Sequence, residues 1–341
     1  MSAPDRKTFI GGSDAAAVLG ISSWDTPLKL YQKKRGEFVP TDVDRKLDRV
    51  RARGKREEPH IVDDLIELYA IKVTKRSTPE APNYHTHPII PYLAAEIDFE
   101  WEVTEEAIAK LATRGVEIPQ ELIGTIQNGE CKTMHPFVAK KKIGEEGTDE
   151  IPVEYFAQGE HGLMVSDRQI TLVAIAVYVD DPLIYLVRRD EEMIKGMFER
   201  EVAFMEDHIR TGTPPAPVNV PDVHSLLGRA GETQREATPE IAAVVRSLET
   251  LRQRRATFEE GIEALKFEIG LFLLGAEAVE NPSKPGVHVL RYQGEPILRV
   301  VLEHKKFIDG EKLQLKFPEV AEECSKTISS FAYRKPRKGS K

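Results

Sequence analysis

Cysteine is scarce in this chain: Cys131 and Cys324 are the only two among 341 residues, and they lie far apart. Two such cysteines exclude a disulfide framework, a four-cysteine iron–sulfur cluster and a paired-cysteine zinc site. The sequence also lacks a Walker phosphate loop and a Gly-x-Gly-x-x-Gly dinucleotide fingerprint. We therefore expect a protein of a reducing compartment, with no ATP-driven or nicotinamide chemistry in this chain.

Long hydrophobic runs are missing as well. The longest, residues 170–179, has the length of a strand, and residues 1–8 are polar. We therefore expect neither a membrane span nor a signal peptide. Hydrophobic residues make up 40% of the chain, which suffices for one large domain and a smaller one.

The tripeptide Glu130-Cys131-Lys132 lies in a predicted strand, and Asp98 ends an apolar segment that begins at residue 92. Two carboxylates on neighbouring strands can hold a divalent metal ion, and a lysine beside them can stabilise charge on a phosphate. A site that only binds calcium or magnesium needs no such lysine, whereas phosphodiester hydrolysis uses extra positive charge. The pattern favours a nuclease, although Glu-x-Lys is common and Glu303-His304-Lys305 has the same form on a predicted solvated face.

The order of elements around this tripeptide strengthens the interpretation. Glu58 lies near the start of a predicted helix whose residues 61, 62, 65, 66 and 69 form an apolar face. Gln158 lies in a predicted helix over 155–165, which leads into a strand over 170–179. Helix with Glu, strand with Asp, strand with Glu-x-Lys, helix with Gln and final strand together predict an α/β core.

The segment Ile10-Gly11-Gly12-Ser13-Asp14-Ala15-Ala16-Ala17-Val18-Leu19-Gly20-Ile21, followed by Trp24 and Thr26-Pro27, carries a family resemblance. It is similar to the start of the YqaJ family of viral recombinases, relatives of lambda exonuclease among the PD-(D/E)xK nucleases. The resemblance implies a restriction-endonuclease-like core, in which helices flank a central mixed sheet.

Carried over to this chain, the resemblance implies a Mg²⁺ or Mn²⁺ site with Asp98 and Glu130 as ligands, aided by the backbone carbonyl of Cys131. Lys132 would position and polarise the attacking water and the phosphate. Glu58, four residues after Gly54, would assist from its helix, as in the family's Gly-x-x-x-Glu helix.

Two further roles follow from the resemblance. Gln158, in a Tyr-x-x-Gln sequence, would orient the site. Ser13 matches a serine that receives a terminal 5′ phosphate in lambda-type enzymes. A helix N-cap for residues 14–19 is an equally good role for Ser13.

This chain departs from the family pattern at several positions. Phe99 follows Asp98 where glycine is common, and Glu96 stands where a small hydroxyl residue is frequent. Glu96 could repel a terminal phosphate or act as a further metal ligand. His161 could contact DNA or a metal ion, but a single histidine on a half-buried helix is more often a hydrogen-bonded structural residue.

The net charge of −8 does not favour DNA binding, but the basic residues are clustered. Residues 45–56 contain seven basic side chains and one acidic side chain, and a Lys140-Lys141-Lys142 run follows the predicted active strand. We predict DNA contacts from both clusters, although charge runs are usually only solvated faces. The predicted contacts are Arg51, Arg53, Lys55, Arg56, Lys140 and Lys141. We predict no specific role for the basic tail over 334–341.

The resemblance implies an exonuclease that digests linear double-stranded DNA from its 5′ end and exposes 3′ strands for a RecT/Bet-type single-strand annealing protein. It also implies a cytoplasmic location in a bacterial host, a phage or prophage origin, and a trimeric ring as one possible homo-oligomer. Two alternatives remain: a structure-specific or endonucleolytic enzyme of the same fold, and a non-catalytic DNA-binding or assembly factor.

Proline-rich residues 211–217 indicate a domain boundary. We predict a nuclease domain over 1–211, a linker over 212–237 and a C-terminal module over 238–341. In that module a long helix begins after Thr238 and ends near Gly275, with apolar residues spaced as in a packing seam. A hairpin of strands 287–292 and 296–302 follows, then short helices over 309–324.

Overall fold

The computed structural model describes residues 5–40, 42–178, 180–229, 234–274, 287–293 and 295–301. Contacts divide the chain into two compact units, Met1–Arg229 and Ala230–Lys341. All predicted site residues lie in the first unit.

A five-stranded mixed sheet forms the centre of the first unit. The strands of this unit are β1 (Lys72–Arg76), β2 (Tyr84–Thr86), β3 (Ala94–Glu96), β4 (Phe99–Glu102), β5 (Ile126–Met134), β6 (Ile170–Val177) and β7 (Leu183–Arg188). The order across the large sheet is β1-β4-β5-β6-β7, and β2 pairs with β3 in a small sheet. Only β5 and β6 run parallel among these described pairs, so the sheet is mixed, as predicted.

Helices cover both faces of the large sheet. They are α1 (Gly12–Val18), α2 (Pro27–Arg35), α3 (Asp42–Tyr69), α4 (Glu105–Ala112), α5 (Pro136–Lys142), α6 (Val153–Ser166), α7 (Glu191–Ala203) and α8 (Val220–Leu227). A 3₁₀ turn forms at Gln120–Leu122, and a π-helical segment, Phe204–Arg210, continues α7. The mixed α/β class predicted from the sequence is therefore confirmed.

Alternation along β6 explains the two layers of the core. Leu172 and Ala174 point to the face covered by α3 and α4, where Leu65 is buried. Val173 and Ile175 point to the opposite face, which α1, α2, α6 and α7 cover. A strand buried on both faces needs a continuous apolar run, which is why residues 170–177 are nearly all hydrophobic.

The parallel pairing of β5 with β6 requires a crossover connection, and α5 and α6 provide it. Helix α6 returns across the sheet beside α1, and Gly12 lets the two helices approach closely. A Cβ atom on Gly12 would lie 3.1 Å from Cγ of Gln158. Gly12, in the Gly-Gly-Ser sequence, therefore lies where α1 contacts α6.

The structure corrects the predicted start of the Glu58 helix. Helix α3 begins at Asp42 and runs through Pro59, although proline lacks an N–H and usually breaks a helix. Ile61, Leu65 and Tyr69 anchor the turns beyond Pro59 in the core, which offsets that cost. Glu58 therefore lies well inside the helix rather than near its start.

The predicted apolar strand before Asp98 also divides. Residues 94–96 form β3 and pair with β2, whereas residues 99–102 form β4 and pair with β1 and β5. Asp98 lies where the chain passes from one sheet to the other. Because Asp98 lies between two strands, the in-and-out alternation of side chains along a strand does not fix the direction of its side chain.

The first unit extends beyond the predicted domain end at residue 211. Four hydrogen bonds connect residues 212–225 to α2 and its N-cap. The Tyr31 hydroxyl donates to the Gly212 carbonyl, the Thr26 hydroxyl donates to Asp222, and Gln32 and Ser225 exchange two. The first eighteen residues of the predicted linker, 212–229, are therefore part of this unit.

The second unit contains helix α9 (Pro239–Leu274) and the hairpin strands β8 (Val287–Tyr292) and β9 (Glu295–Val301). No residue of α9 is buried, and the predicted packing seam stays a prediction. The predicted short helices over 309–324 and the basic tail lie outside the described residues. Among the described helices, none is both long and apolar enough to cross a membrane.

Candidate active site

Strand β5 presents Glu130 and Lys132 on one face, because side chains two residues apart on a strand point the same way. Cys131, between them, is buried in the opposite core layer with α3 and α4. The Lys132 ammonium donates a hydrogen bond to Oε1 of Glu130. The Glu-x-Lys sequence thus forms a partly buried ion pair.

Asp98 joins this pair from the neighbouring chain segment. Its Oδ2 accepts a hydrogen bond of 2.8 Å from the backbone N–H of Cys131. Beyond burial, the charge on the nearby Glu130 carboxylate helps to raise the pKa of Asp98. The predicted convergence of Asp98, Glu130 and Lys132 is therefore present in the structure.

Phe99 does not intrude on the site. Its ring is fully buried and lies over Gly129 on the paired strand β5, where a Cβ atom would come within 2.1 Å of the ring. Glycine at 129 is therefore required by the aromatic residue opposite it. The departure at position 99 is accommodated in the core, away from the Asp98 carboxylate.

Gln158 completes the hydrogen-bond network from α6. Its Oε1 accepts from the Lys132 ammonium at 3.0 Å, and its Nε2 donates to Oε1 of Glu130. The Tyr155 ring centroid lies 5.2 Å from the Lys132 nitrogen. These contacts fix the lysine between a carboxylate, an amide and an aromatic face.

Burial and mutual repulsion shift the carboxyl groups strongly. Burial, followed by the neighbouring Glu130 carboxylate, raises the pKa of Asp98 to about 8. Burial, followed by the charge on Asp98, raises the pKa of Glu58 to about 7, and burial raises the pKa of Glu130. Burial opposes the charge on Lys132, but Glu130 and Asp98 raise its pKa. One ammonium does not balance three carboxyl groups, so this cluster favours additional protons or a cation.

The donor set suits a hard divalent cation in part. Carboxylate oxygens and a backbone carbonyl are the ligands that Mg²⁺ prefers, and Mg²⁺ usually keeps several waters. In the described part of the chain, no group of three or more His, Cys, Asp or Glu side chains is arranged to hold a metal ion. The available protein ligands are therefore the two carboxylates of Asp98 and Glu130, and the backbone carbonyl of Cys131 is a possible third ligand.

A cavity of about 470 Å³ opens over these side chains. All five predicted catalytic residues line it: Glu58, Asp98, Glu130, Lys132 and Gln158. Among the predicted DNA contacts, Ser13, Arg51 and Lys55 line it as well. Arg53, Arg56, Lys140 and Lys141 are exposed and lie outside this lining.

Helix periodicity explains which basic residues of α3 face the cavity. Arg51, Lys55 and Glu58 are separated by four and three residues, so they lie on one side of the helix. Arg53 and Arg56 point elsewhere. The basic run over 45–56 contains both the residues that face the cavity and those that do not. Only the orientation of α3 in the fold distinguishes Arg51 and Lys55 from Arg53 and Arg56.

Ser13 is not the N-cap of its helix. Gly11 occupies that position, and its backbone N–H is bonded by Asp14, while Ser13 lies in the first turn of α1. The Ser13 hydroxyl instead accepts a 2.6 Å hydrogen bond from the Arg6 guanidinium. The capping alternative is wrong, and Arg6 is a cavity residue that the sequence analysis missed.

Glu96 lines the cavity, and its carboxylate is engaged by a hydrogen bond and an ion pair. Its Oε1 accepts a 2.6 Å hydrogen bond from Ser77 and lies 3.7 Å from the Lys55 ammonium. This pairing reduces the repulsion that a lone carboxylate would exert on a phosphate. Trp24 and Tyr155 also line the cavity and were missed as site residues.

His161 has no access to the cavity. It is fully buried, with Nδ1 2.9 Å from Glu201 and Nε2 3.0 Å from the Ala94 carbonyl. Both ring nitrogens are engaged in the core. His161 is therefore a hydrogen-bonded structural residue, as the sequence analysis favoured.

Residues 3–169 match the family model described as a YqaJ-like viral recombinase domain. The "Uncharacterized protein YqaJ" of Bacillus subtilis (strain 168) is 26% identical over 332 residues, which cover 94% of this chain and 89% of that protein.

Two solved structures are similar to part of this chain. An alkaline exonuclease (LHK-Exo) from Laribacter hongkongensis aligns with 14% identity and a TM-score of 0.40, over 61% of this chain and 91% of that chain. LHK-Exo in complex with dAMP aligns over the same shares with 16% identity and a TM-score of 0.39.

Proposed function

We propose that this chain is a DNA exonuclease that acts in recombination, because residues 3–169 match the family model of YqaJ-like viral recombinase domains. The observation that supports this most directly is the cluster of Asp98, Glu130 and Lys132 at the base of one cavity. Carboxylates beside an ammonium suit hydrolysis of a phosphodiester bond, in which negative charge develops on the phosphate.

In this proposal Asp98 and Glu130 hold Mg²⁺ or Mn²⁺, with the Cys131 carbonyl as a further ligand. Such an ion, when bound, lowers the pKa of a coordinated water and neutralises phosphate charge. The raised pKa values of both carboxyl groups support this role, since a cation can replace the protons that burial favours.

The chain's own residues supply the remaining tasks. The Lys132 ammonium, fixed by Glu130 and Gln158, is placed to stabilise a non-bridging phosphate oxygen. Glu58 adds a third carboxylate at the cavity wall. Arg51 and Lys55 on the same wall supply positive charge for the DNA backbone.

We further propose that the substrate is linear double-stranded DNA degraded in the 5′ to 3′ direction. The exposed 3′ strand would then be passed to a RecT/Bet-type annealing protein, and a trimeric ring would confer processivity. Ser13 and Arg6 form a hydroxyl and guanidinium pair at one side of the cavity, where a terminal phosphate would find hydrogen-bond donors.

The test is digestion of a 5′-labelled linear duplex with Mg²⁺, comparing wild type with Lys132→Ala and Asp98→Asn. Wild type should release labelled nucleotides early, and each variant should be slower by at least about a hundredfold. Chelation by EDTA should stop release. Equal release by wild type and both variants would place the activity elsewhere or in a contaminant.

A covalently closed circle serves as the control for the mode of cleavage. An exonuclease leaves the circle intact while it consumes the linear duplex. Loss of the circle would identify internal cutting, and a shift on a gel without any nucleotide release would identify a non-catalytic DNA-binding protein.

A further inference from the structure

Two aromatic rings lie exposed just beyond the active strand, where the proposed function assigns no role. The rings of His135 and Phe137 are stacked, with centroids 5.4 Å apart and planes inclined by 23°. Phe137 is 77% exposed, and His135 is also exposed. A single exposed hydrophobic residue is ordinary, but an ordered pair of parallel rings is a preformed stacking surface.

The backbone holds this pair in place. Nδ1 of His135 accepts a hydrogen bond from the N–H of Phe137, and Pro136 between them begins helix α5. Proline fixes its own backbone torsion, and a capping side chain loses further freedom. The backbone at both rings and the His135 side chain are therefore held before a flat ligand stacks on them.

Positive charge follows the rings on the same helix. Lys140, Lys141 and Lys142 form the last turn of α5, which contains no acidic residue. Within the described residues, no carboxylate forms an ion pair with Lys140 or Lys141. Of the acidic side chains that follow, Glu146 pairs with Arg114, and Glu150 accepts a hydrogen bond from the N–H of Glu145. Glu145 and Asp149 are exposed to solvent. Rings beside unpaired ammonium groups suit a polyanion that carries aromatic bases.

The location connects this surface to the cavity. Thr133 of β5 lines the cavity, and His135 follows two residues later in extended conformation, about 7 Å along the chain. The rings therefore follow the cavity lining directly along the chain. Bases inside a duplex cannot stack on them, because both of their faces are covered by neighbouring pairs, whereas unpaired bases can.

We propose that His135 and Phe137, with Lys140 and Lys141, form a binding surface for single-stranded DNA at the edge of the active site. The surface would hold unpaired bases of a DNA end that is being processed. This inference rests on the proposed function for its substrate class, but its test measures binding without catalysis.

The experiment measures the affinity of the full chain for two DNA probes by fluorescence anisotropy in EDTA at fixed salt concentration. One probe is a duplex with a single-stranded overhang, and the other is the matching blunt duplex. Phe137→Ala should weaken binding of the overhang about tenfold, the loss expected for one base–aromatic stack, and should leave the blunt duplex nearly unchanged. Phe137→Trp should retain the affinity for the overhang.

Matched variants separate stacking from charge and from folding. Val138→Ala removes a neighbouring exposed apolar side chain on α5 and should leave both affinities unchanged. Replacing Lys140 and Lys141 by glutamine should reduce the slope of log affinity against log salt by about 1.4, since each phosphate contact on a single strand contributes about 0.7. A 2-aminopurine base in the overhang should be quenched by wild type and less so by Phe137→Ala.

Three results would overturn the inference. They are unchanged overhang affinity in Phe137→Ala, an equal loss on both probes, and wild type that does not bind the overhang at all. Light scattering adds a fourth: a wild-type dimer that Phe137→Ala abolishes would assign the rings to a contact between copies. Absence of nucleotide release with Mg²⁺, alongside intact overhang binding, would contradict the exonuclease proposal alone.

Discussion

Two buried charge clusters meet on helix α6, and their difference separates a reactive site from a structural one. Around Gln158, three carboxyl groups surround one ammonium at the base of an open cavity. Three residues later, His161 faces the single carboxylate of Glu201 in the fully enclosed core. The first cluster has more carboxyl groups than ammonium groups and is open to a ligand, whereas the second pairs one imidazole with one carboxylate and is enclosed. Charge imbalance with access therefore identifies the candidate active site better than burial alone.

Glu130→Gln should break the first cluster and produce the largest effect. We expect nucleotide release to fall on the order of a thousandfold, about 4 kcal/mol in the activation barrier, because a ligand and the partner of Lys132 are lost. Nucleotide release with Mg²⁺ measures this. Glu102→Gln, on the neighbouring strand and paired with Lys72, is the control and should remain active. Full activity of Glu130→Gln would remove Glu130 from the mechanism.

His161→Ala should break the second cluster and lower stability rather than catalysis directly. Loss of the imidazole leaves the Glu201 carboxylate buried without a partner, so the free energy of unfolding should fall by about 3 kcal/mol or more. Urea unfolding measures this. Lys110→Ala disrupts the exposed pair with Glu106 and should cost less than about 1 kcal/mol. Equal effects of the two variants would contradict the assignment.

The same pair predicts a pH dependence. Burial alone would lower the pKa of His161, but the Glu201 carboxylate raises it above the ordinary value of 6.5. A raised pKa means that the pair stabilises the fold fully below pH 6.5 and less as the pH rises through the folded value. Wild type should therefore lose unfolding free energy on the alkaline side, and Glu201→Gln should show a flatter profile. An unchanged profile in the variant would refute the linkage.

Another buried carboxyl group, that of Glu160 on α6, sharpens the comparison, with the smallest expected effect. Glu160 is fully buried and its Oε1 has no hydrogen-bond partner among the described residues. Burial raises its pKa to about 7, so ionisation disfavours the fold as pH rises from 4.5 through 7. Glu160→Gln should gain about 1–3 kcal/mol at pH 8 and almost nothing near pH 4, by urea unfolding. A loss of stability at pH 8 would point to an ionic partner for Glu160.

Much of the fold was predictable because its elements carry strong local signals. The apolar run of β6 and the Thr238-Pro239 start of α9 each predicted an element close to its observed position. Boundaries failed where tertiary contacts override local preference. Helix α3 continues through Pro59 because the following side chains are anchored in the core, and residues 212–229 join the first unit through contacts to α2.

The residue types of the candidate site were equally evident: spacing on one strand places Glu130 and Lys132 on the same face, and the sequence order indicates Asp98 and Gln158. No pattern along the chain could reveal that Arg6 bonds Ser13, that Glu96 is paired by Ser77, or which basic residues of α3 face the cavity. Those facts depend on distances between segments far apart in sequence. Local chemistry and periodicity thus decided which groups are present and on which face they lie. Packing of the sheet against α1, α3 and α6 decided which of them share a buried volume, and burial together with unbalanced charge sets their pKa values.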